Sequence, residues 1–177
     1  RSGALVLVDV VTGTIVREEP TGQMLGHMVA LSPDSKTAYV ANITPGTLSI
    51  VDLAGDTPPA VVKVGTMTEA IAASPDGKMV WMGSNTTGKV YVVDLAKRAV
   101  VDSVQTSGFP YRIAFTPDSR QAIITNPMSN EVWFINAATR AKEAKIDVVA
   151  PGGGNAGPFG LIVSPKGDRA WITMNGV

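Results

Sequence analysis

The chain of 177 residues has no cysteine, a single histidine and no apolar run approaching 18 residues. The first absence excludes a disulfide framework, a thiolate metal site and a cysteine nucleophile. The last leaves nothing long enough to cross a bilayer as a helix. Charged residues make up only 17% of the sequence, and fifteen basic residues cancel fifteen acidic ones. With no basic run and no aromatics interleaved with Lys or Arg, the composition offers no groove for nucleic acid. No stretch carries a convincing helical period. The 45% of hydrophobic residues is still enough to bury a core.

What is present is a repeat. Ser32-Pro33-Asp34-Ser35 returns as Ser74-Pro75-Asp76-Gly77, Thr116-Pro117-Asp118-Ser119 and Ser164-Pro165-Lys166-Gly167, with heads 42, 42 and 48 positions apart. That spacing is at or near the period of four-stranded propeller blades. An apolar segment precedes each turn (residues 28–31, 70–73, 112–115 and 160–163) and another follows it (38–41, 79–82, 122–125 and 170–173). A third segment (48–51, 90–93 and 132–135) is closed by Asp52, Asp94 or Asn136, each 20 residues from the head of its turn. A more polar fourth covers 60–64, 99–104 and 141–148. Short β-branched and aromatic runs punctuated by Gly, Pro, Asn and Asp are the strand and hairpin pattern.

The expected fold is therefore all-β, a β-propeller of four-stranded antiparallel blades with three complete repeats and a complementary half-blade at each end. The boundaries are a half-blade at 1–26, blades at 27–67, 68–108 and 109–156, and a half-blade at 157–177, read as part of a larger ring. An apolar edge such as Leu5-Val6-Leu7-Val8 needs a cover. A longer propeller, two chains pairing their half-blades as a homodimer, or closure of one chain as four blades would each supply it.

Turn chemistry accounts for the most tempting carboxylates. Proline presets the second turn position, and the Ser or Thr oxygen can accept a nearby backbone N–H. Asp34, Asp76 and Asp118 are thus hairpin residues, and Asp52 and Asp94 serve strand ends. Tyr39, Trp81, Ile123 and Trp171 share one register and read as packing between blades. The Gly152-Gly153-Gly154 segment lacks the following Lys-Ser/Thr and helix of a phosphate cradle.

Tyr39-Val40-Ala41-Asn42, followed by Gly46-Thr47-Leu48-Ser49-Ile50-Val51-Asp52-Leu53, resembles the YVTN family of β-propeller repeats. Trp81-Met82-Gly83-Ser84-Asn85 and Ile123-Ile124-Thr125-Asn126 repeat the match, which covers essentially the whole chain. The resemblance implies a ring of about seven blades, as in archaeal surface-layer and bacterial exported proteins, and a periplasmic or extracellular location. The family's motif residues are scaffold, so it implies no catalytic residue. The Trp-Asp dipeptide that marks WD40 repeats is absent.

Function is then sought where the copies differ. Five residues before each turn stand His27, Glu69, Tyr111 and Phe159, and the next positions hold Met28, Ala70, Arg112 and Gly160. In a propeller these open on the channel mouth, where loops on a rigid scaffold carry function. His27, Glu69, Tyr111 and Arg112 are the expected ligand-binding residues, with Tyr111 and Arg112 as a stacking and anion-pairing wall. The leading expectation is a non-enzymatic exported scaffold, binding a protein, peptide or envelope ligand without a cofactor. The alternative is a metal-dependent lactonase-like hydrolase, with Glu69, His27 and amides such as Asn42, Asn85 and Asn126 around a divalent cation. A quinone or haem enzyme is a third reading, against which the missing cysteines and single histidine weigh.

Overall fold

The computed structural model describes residues 3–55, 57–150 and 152–175, and among them there are sixteen strands and one 3-10 turn, Pro127–Ser129. Four strands, β3 (Gly26–Leu31), β4 (Thr37–Asn42), β5 (Thr47–Asp52) and β6 (Ala60–Lys63), form one antiparallel sheet in sequence order. The next sheet joins β7 (Thr68–Ala73), β8 (Met79–Ser84), β9 (Lys89–Asp94) and β10 (Ala99–Gln105). A third joins β11 (Arg112–Phe115), β12 (Gln121–Asn126), β13 (Glu131–Asn136) and β14 (Lys142–Asp147). Two-stranded sheets stand on either side, β1 (Ala4–Asp9) with β2 (Thr14–Pro20) and β15 (Pro158–Val163) with β16 (Ala170–Met174).

The turns fold as their residues dictate. Ser32 Oγ donates to Asp34 Oδ1 at 2.6 Å and accepts from Thr37 N at 3.0 Å, and Ser74 with Asp76 repeats the arrangement. Thr116 and Asp118 repeat it again. In the fourth copy Lys166 stands where the others have Asp, and Ser164 Oγ instead donates to Asp168 Oδ1 at 2.7 Å. At the opposite hairpins Asp9, Asp52, Asp94 and Asn136 accept backbone N–H bonds from the turns that follow them.

The core lies between the sheets. Strands β4 and β8 are buried along five consecutive positions because a neighbouring sheet covers each face, whereas every residue of outer strand β14 is exposed. Tyr39, Leu48, Ile71, Val80 and Met82 fill the first interface; Trp81, Val92, Ile113, Phe115 and Ile124 fill the second. Leu5 packs on Ala38, Val40 and Val51. In the shared register Tyr39, Trp81 and Ile123 are 5%, 1% and 4% exposed, while Trp171 is 56% exposed. No sheet of the described residues lies over Trp171. The first strands meet one another, β3 with β7, β7 with β11 and β11 with β15, so they line the inner side of the array.

Candidate site at the inner strand ends

Three of the four inner strands, β3, β7 and β15, share an irregularity that the repeat alone does not reveal, whereas β11 pairs with β12 without a break. In the first sheet Gly26 pairs with Asn42 and Met28 with Ala41, leaving His27 outside the ladder. In the second, Thr68 pairs with Ser84 and Ala70 with Gly83, leaving out Glu69. In the sheet of β15 and β16 the register breaks between Pro158 and Leu161, and Phe159 lies in the break. Such bulges re-aim a side chain at the edge of a sheet. The approach is set two residues earlier, where Leu25, Met67 and Gly157 have φ of 58°, 48° and 50°. For Leu and Met this left-handed geometry costs on the order of 1–3 kcal/mol. It lets the carbonyls of Leu25, Met67 and Gly157 accept from Ile43, Asn85 and Asn175, at 3.2, 3.0 and 3.0 Å.

The four side chains singled out in the sequence converge, one blade after another. Glu69, buried at 9% exposure, stands in the middle. Its Oε2 accepts from Asn85 Nδ2 at 2.5 Å, and its Oε1 lies 3.8 Å from His27 Nδ1 and 3.9 Å from Arg112 Nη1. Both of the latter are longer than a hydrogen bond, so the attraction is through space. The Arg112 guanidinium lies 4.0 Å from the centroid of the Tyr111 ring, and Nη1 donates to the Tyr111 carbonyl at 2.8 Å. Tyr111 in turn stacks on Phe109 at 5.6 Å and meets Phe159 edge-on at 4.8 Å. A cation over a tyrosine face is favourable and fixes the plane of the guanidinium.

The cation donor set expected under the hydrolase reading is not assembled. Of the three amides only Asn85 reaches Glu69; Asn42 turns to Thr47 and Ser49. Both polar atoms of Asn126 are buried without a partner among the described residues. Among those residues no group of three His, Cys, Asp or Glu is placed to hold a metal ion. Phe159 and the Asn85 bond to Glu69 are parts of the site that the register argument did not assign. Phe159 stands in the same register as the other three; Asn85 enters the sequence reading beside Glu69 only as a cation ligand, and its direct bond to the carboxylate crosses from a loop. Asn85 Oδ1 and Thr68 Oγ1, on residues bonded to or adjoining Glu69, are also buried without a partner among the described residues.

The opposite face carries clefts of another kind. One, about 520 Å³, lies between the third four-stranded sheet and the β15–β16 hairpin and includes Asp118, Arg120, Glu143 and Lys166. Two of its charges are spent on each other, with Arg120 Nε 2.7 Å from Asp118, and Glu143 accepts from the side-chain amides of Gln121 and Asn136.

A family model for the cytochrome D1 heme domain matches residues 1–159. The chain belongs to that family. Its architecture is accordingly a β-propeller, as the repeat implies. Among solved structures it is similar to Kuenenia stuttgartiensis hydrazine synthase, with a TM-score of 0.73 and 23% identity over 81% of this chain. The D1 heme domain chain spans 40% of the length of that structure, and the likeness at this identity is one of fold. No curated protein matches the sequence. Among the described residues no helix is long and apolar enough to cross a membrane.

Proposed function

We propose that the chain is part of an exported β-propeller that works as a binding scaffold, taking its ligand at the inner strand ends. One observation carries the reading: three successive blades bring different polar side chains together, with His27 and Arg112 both facing one carboxylate oxygen of Glu69. Residues that build the fold recur in register, as Asp34, Asp76 and Asp118 do, whereas these vary from copy to copy. A rigid frame with variable positions at one rim is how loops on a scaffold come to carry recognition. The ligand classes that suit it are a protein, a peptide or an envelope component. Kinship with the YVTN repeats and a periplasmic or extracellular location belong to the same reading. The lactonase-like alternative draws no support from where the carboxylates lie.

A second reading has its own support, in the family and in His27. This imidazole is half exposed, and its Nδ1 faces Glu69 while Nε2 is left for another partner. A carboxylate at the far nitrogen is the usual support of a metal-ligating histidine. His27 would hold a haem iron through Nε2, with Tyr111, Phe109 and Phe159 offering ring surface and Arg112 a cation. Bound there, haem would supply iron-centred redox chemistry. The chain's own part is to orient the imidazole and to neutralise acid groups.

A fluorescent peptide library and hemin, each titrated into the protein, test the two readings. The scaffold reading expects peptide binders that the double variant Tyr111→Ala/Arg112→Ala loses at unchanged melting temperature; binders kept by that variant overturn it. The haem reading expects a Soret shift with hemin that His27→Ala abolishes. An equal shift in that variant overturns it.

A further inference from the structure

We infer that the site is a receptor for a carboxylate borne on a flat ring, in which Arg112 and His27 receive the acid group and Glu69 is a resident counter-ion that competes with it. The inference rests on the scaffold reading above and names the ligand chemistry of that site.

Glu69 is held in place. It sits in a bulge, it is buried, and Asn85 ties down one oxygen at 2.5 Å. Its other oxygen faces two nitrogens at 3.8 and 3.9 Å, too far to use their hydrogen-bonding capacity. A carboxylate placed for structure alone would close one of those gaps, as the bidentate geometry of Arg and carboxylate readily allows.

Arg112 is oriented but unsaturated. Stacking on Tyr111 and the bond from Nη1 to the Tyr111 carbonyl set its plane. Among the described residues Nε and Nη2 have no hydrogen-bond partner, and 28% of the side chain remains exposed. A planar fork with free donors fits a carboxylate edge-on. His27, with 48% of its side chain exposed, adds a second nitrogen on the other side of Glu69. The aromatic group of Tyr111, Phe109 and Phe159 supplies ring edges and faces beside the fork, which is what a flat apolar body attached to the acid would meet.

Charge decides the role of Glu69. The Glu69 and Arg112 charges offset each other, so an arriving carboxylate meets an attractive guanidinium and a repulsive neighbour behind it. Removing the negative charge while keeping an acceptor for Asn85 therefore strengthens binding of an acid. The site discriminates against weakly held anions by keeping its cation partly occupied.

The probes are 2-naphthoate and its neutral isostere 2-naphthamide, titrated into the protein by calorimetry with the Tyr111 and His27 resonances followed by NMR. Naphthoate is expected to bind on the order of ten-fold tighter than naphthamide, given one unit charge near Arg112 at an effective dielectric of about 20–80. Glu69→Gln tightens naphthoate several-fold and leaves naphthamide unchanged; Arg112→Met removes the difference between the two probes. Equal binding of both probes overturns the carboxylate receptor while leaving a binding scaffold standing. Failure of both to bind overturns it also, and the peptide titration then judges the scaffold separately. If Glu69→Gln lowers the melting temperature and leaves the naphthoate-to-naphthamide ratio unmoved, Glu69 is structural and the competing role is wrong.

Discussion

Trp81 of the second blade meets Phe115 of the third edge-on, with ring centroids 5.4 Å apart and planes at 78°. The contact joins a middle strand to the inner strand of its neighbour, and it sits in a cluster that also takes in Val90, Val92 and Ile113. Trp81→Ala is expected to cost about 3–5 kcal/mol, as large aromatic truncations in a packed core do. Trp171 has the same place in its repeat yet is 56% exposed, so Trp171→Ala is expected to cost under about 1 kcal/mol. Urea midpoints of the two variants check the pair. Equal losses would mean that the interface between the second and third blades is not where stability resides.

Gly46 has φ of 62°, and a Cβ built on it would lie 2.0 Å from the Gly65 carbonyl oxygen. That oxygen belongs to rigid backbone, and the carbonyl of Gly46 itself accepts from Val64 and Gly65 at 3.0 Å. Gly46→Ala is expected to destabilise by about 3 kcal/mol or more. Gly13 has φ of 68° with nothing near its would-be Cβ, so Gly13→Ala carries the left-handed strain alone, about 1–2 kcal/mol. Thermal melts of both variants separate the clash from the strain.

The hairpin carboxylates predict an acid limit. The Thr116 hydroxyl, and after it Arg120, hold the Asp118 carboxyl at about 2. The Ser32 hydroxyl lowers Asp34 in the same way, and the Lys145 ammonium holds Glu131 at about 2. These groups have folded values below their unfolded ones, so their contribution is complete above about pH 4–5 and is lost as the pH falls towards 2. The urea midpoint should be flat between about pH 7 and 5 and fall below about 4. Asp118→Asn should fall less steeply across that window; an unchanged slope would show that the hairpin carboxylates do not set acid stability.

Asn42 and Asn126 occupy the same place in their repeats and have opposite surroundings. Asn42 Nδ2 donates to Thr47 Oγ1 at 3.1 Å and Ser49 Oγ at 2.8 Å, and Ser49 passes the chain on to the Thr21 carbonyl. Asn126 has no partner for either side-chain atom among the described residues. Asn42→Ala breaks a buried network and should cost about 1–3 kcal/mol, and Asn126→Ala clearly less. Chemical denaturation compares the two, and a larger loss at Asn126 would point to a bound water or ligand that the amide holds.

Much of this architecture was legible because one turn recurs. Counting from Ser32, Ser74, Thr116 and Ser164 located the strands, marked the aspartates as turn residues and isolated His27, Glu69, Tyr111 and Arg112, which the fold brings within one cluster. The conformation that aims them was not legible. Leu25 and Met67 adopt left-handed backbone against their own preference, so no local propensity announces the bulge that follows. Asn85 reaches Glu69 from a loop through a contact specific to one blade, and a repeat reports only what its copies share. Asp168 takes over the hairpin role that Lys166 cannot fill, two residues late. The haem-domain kinship lay in no single motif, since a lone histidine reads first as an ordinary polar residue.

The bulges before the inner strands have one more consequence, for how readily such a protein changes its chemistry. His27 and Glu69 face no cross-strand partner, so replacing either residue asks nothing of the ladder beside it. These two blades thus each offer a socket whose occupant is exchangeable at little expense to folding, and the neighbouring sockets open onto the same few ångströms of space. A new binding preference is then within reach of one or two point changes, while the hydrogen-bonded frame that holds them stays as it was.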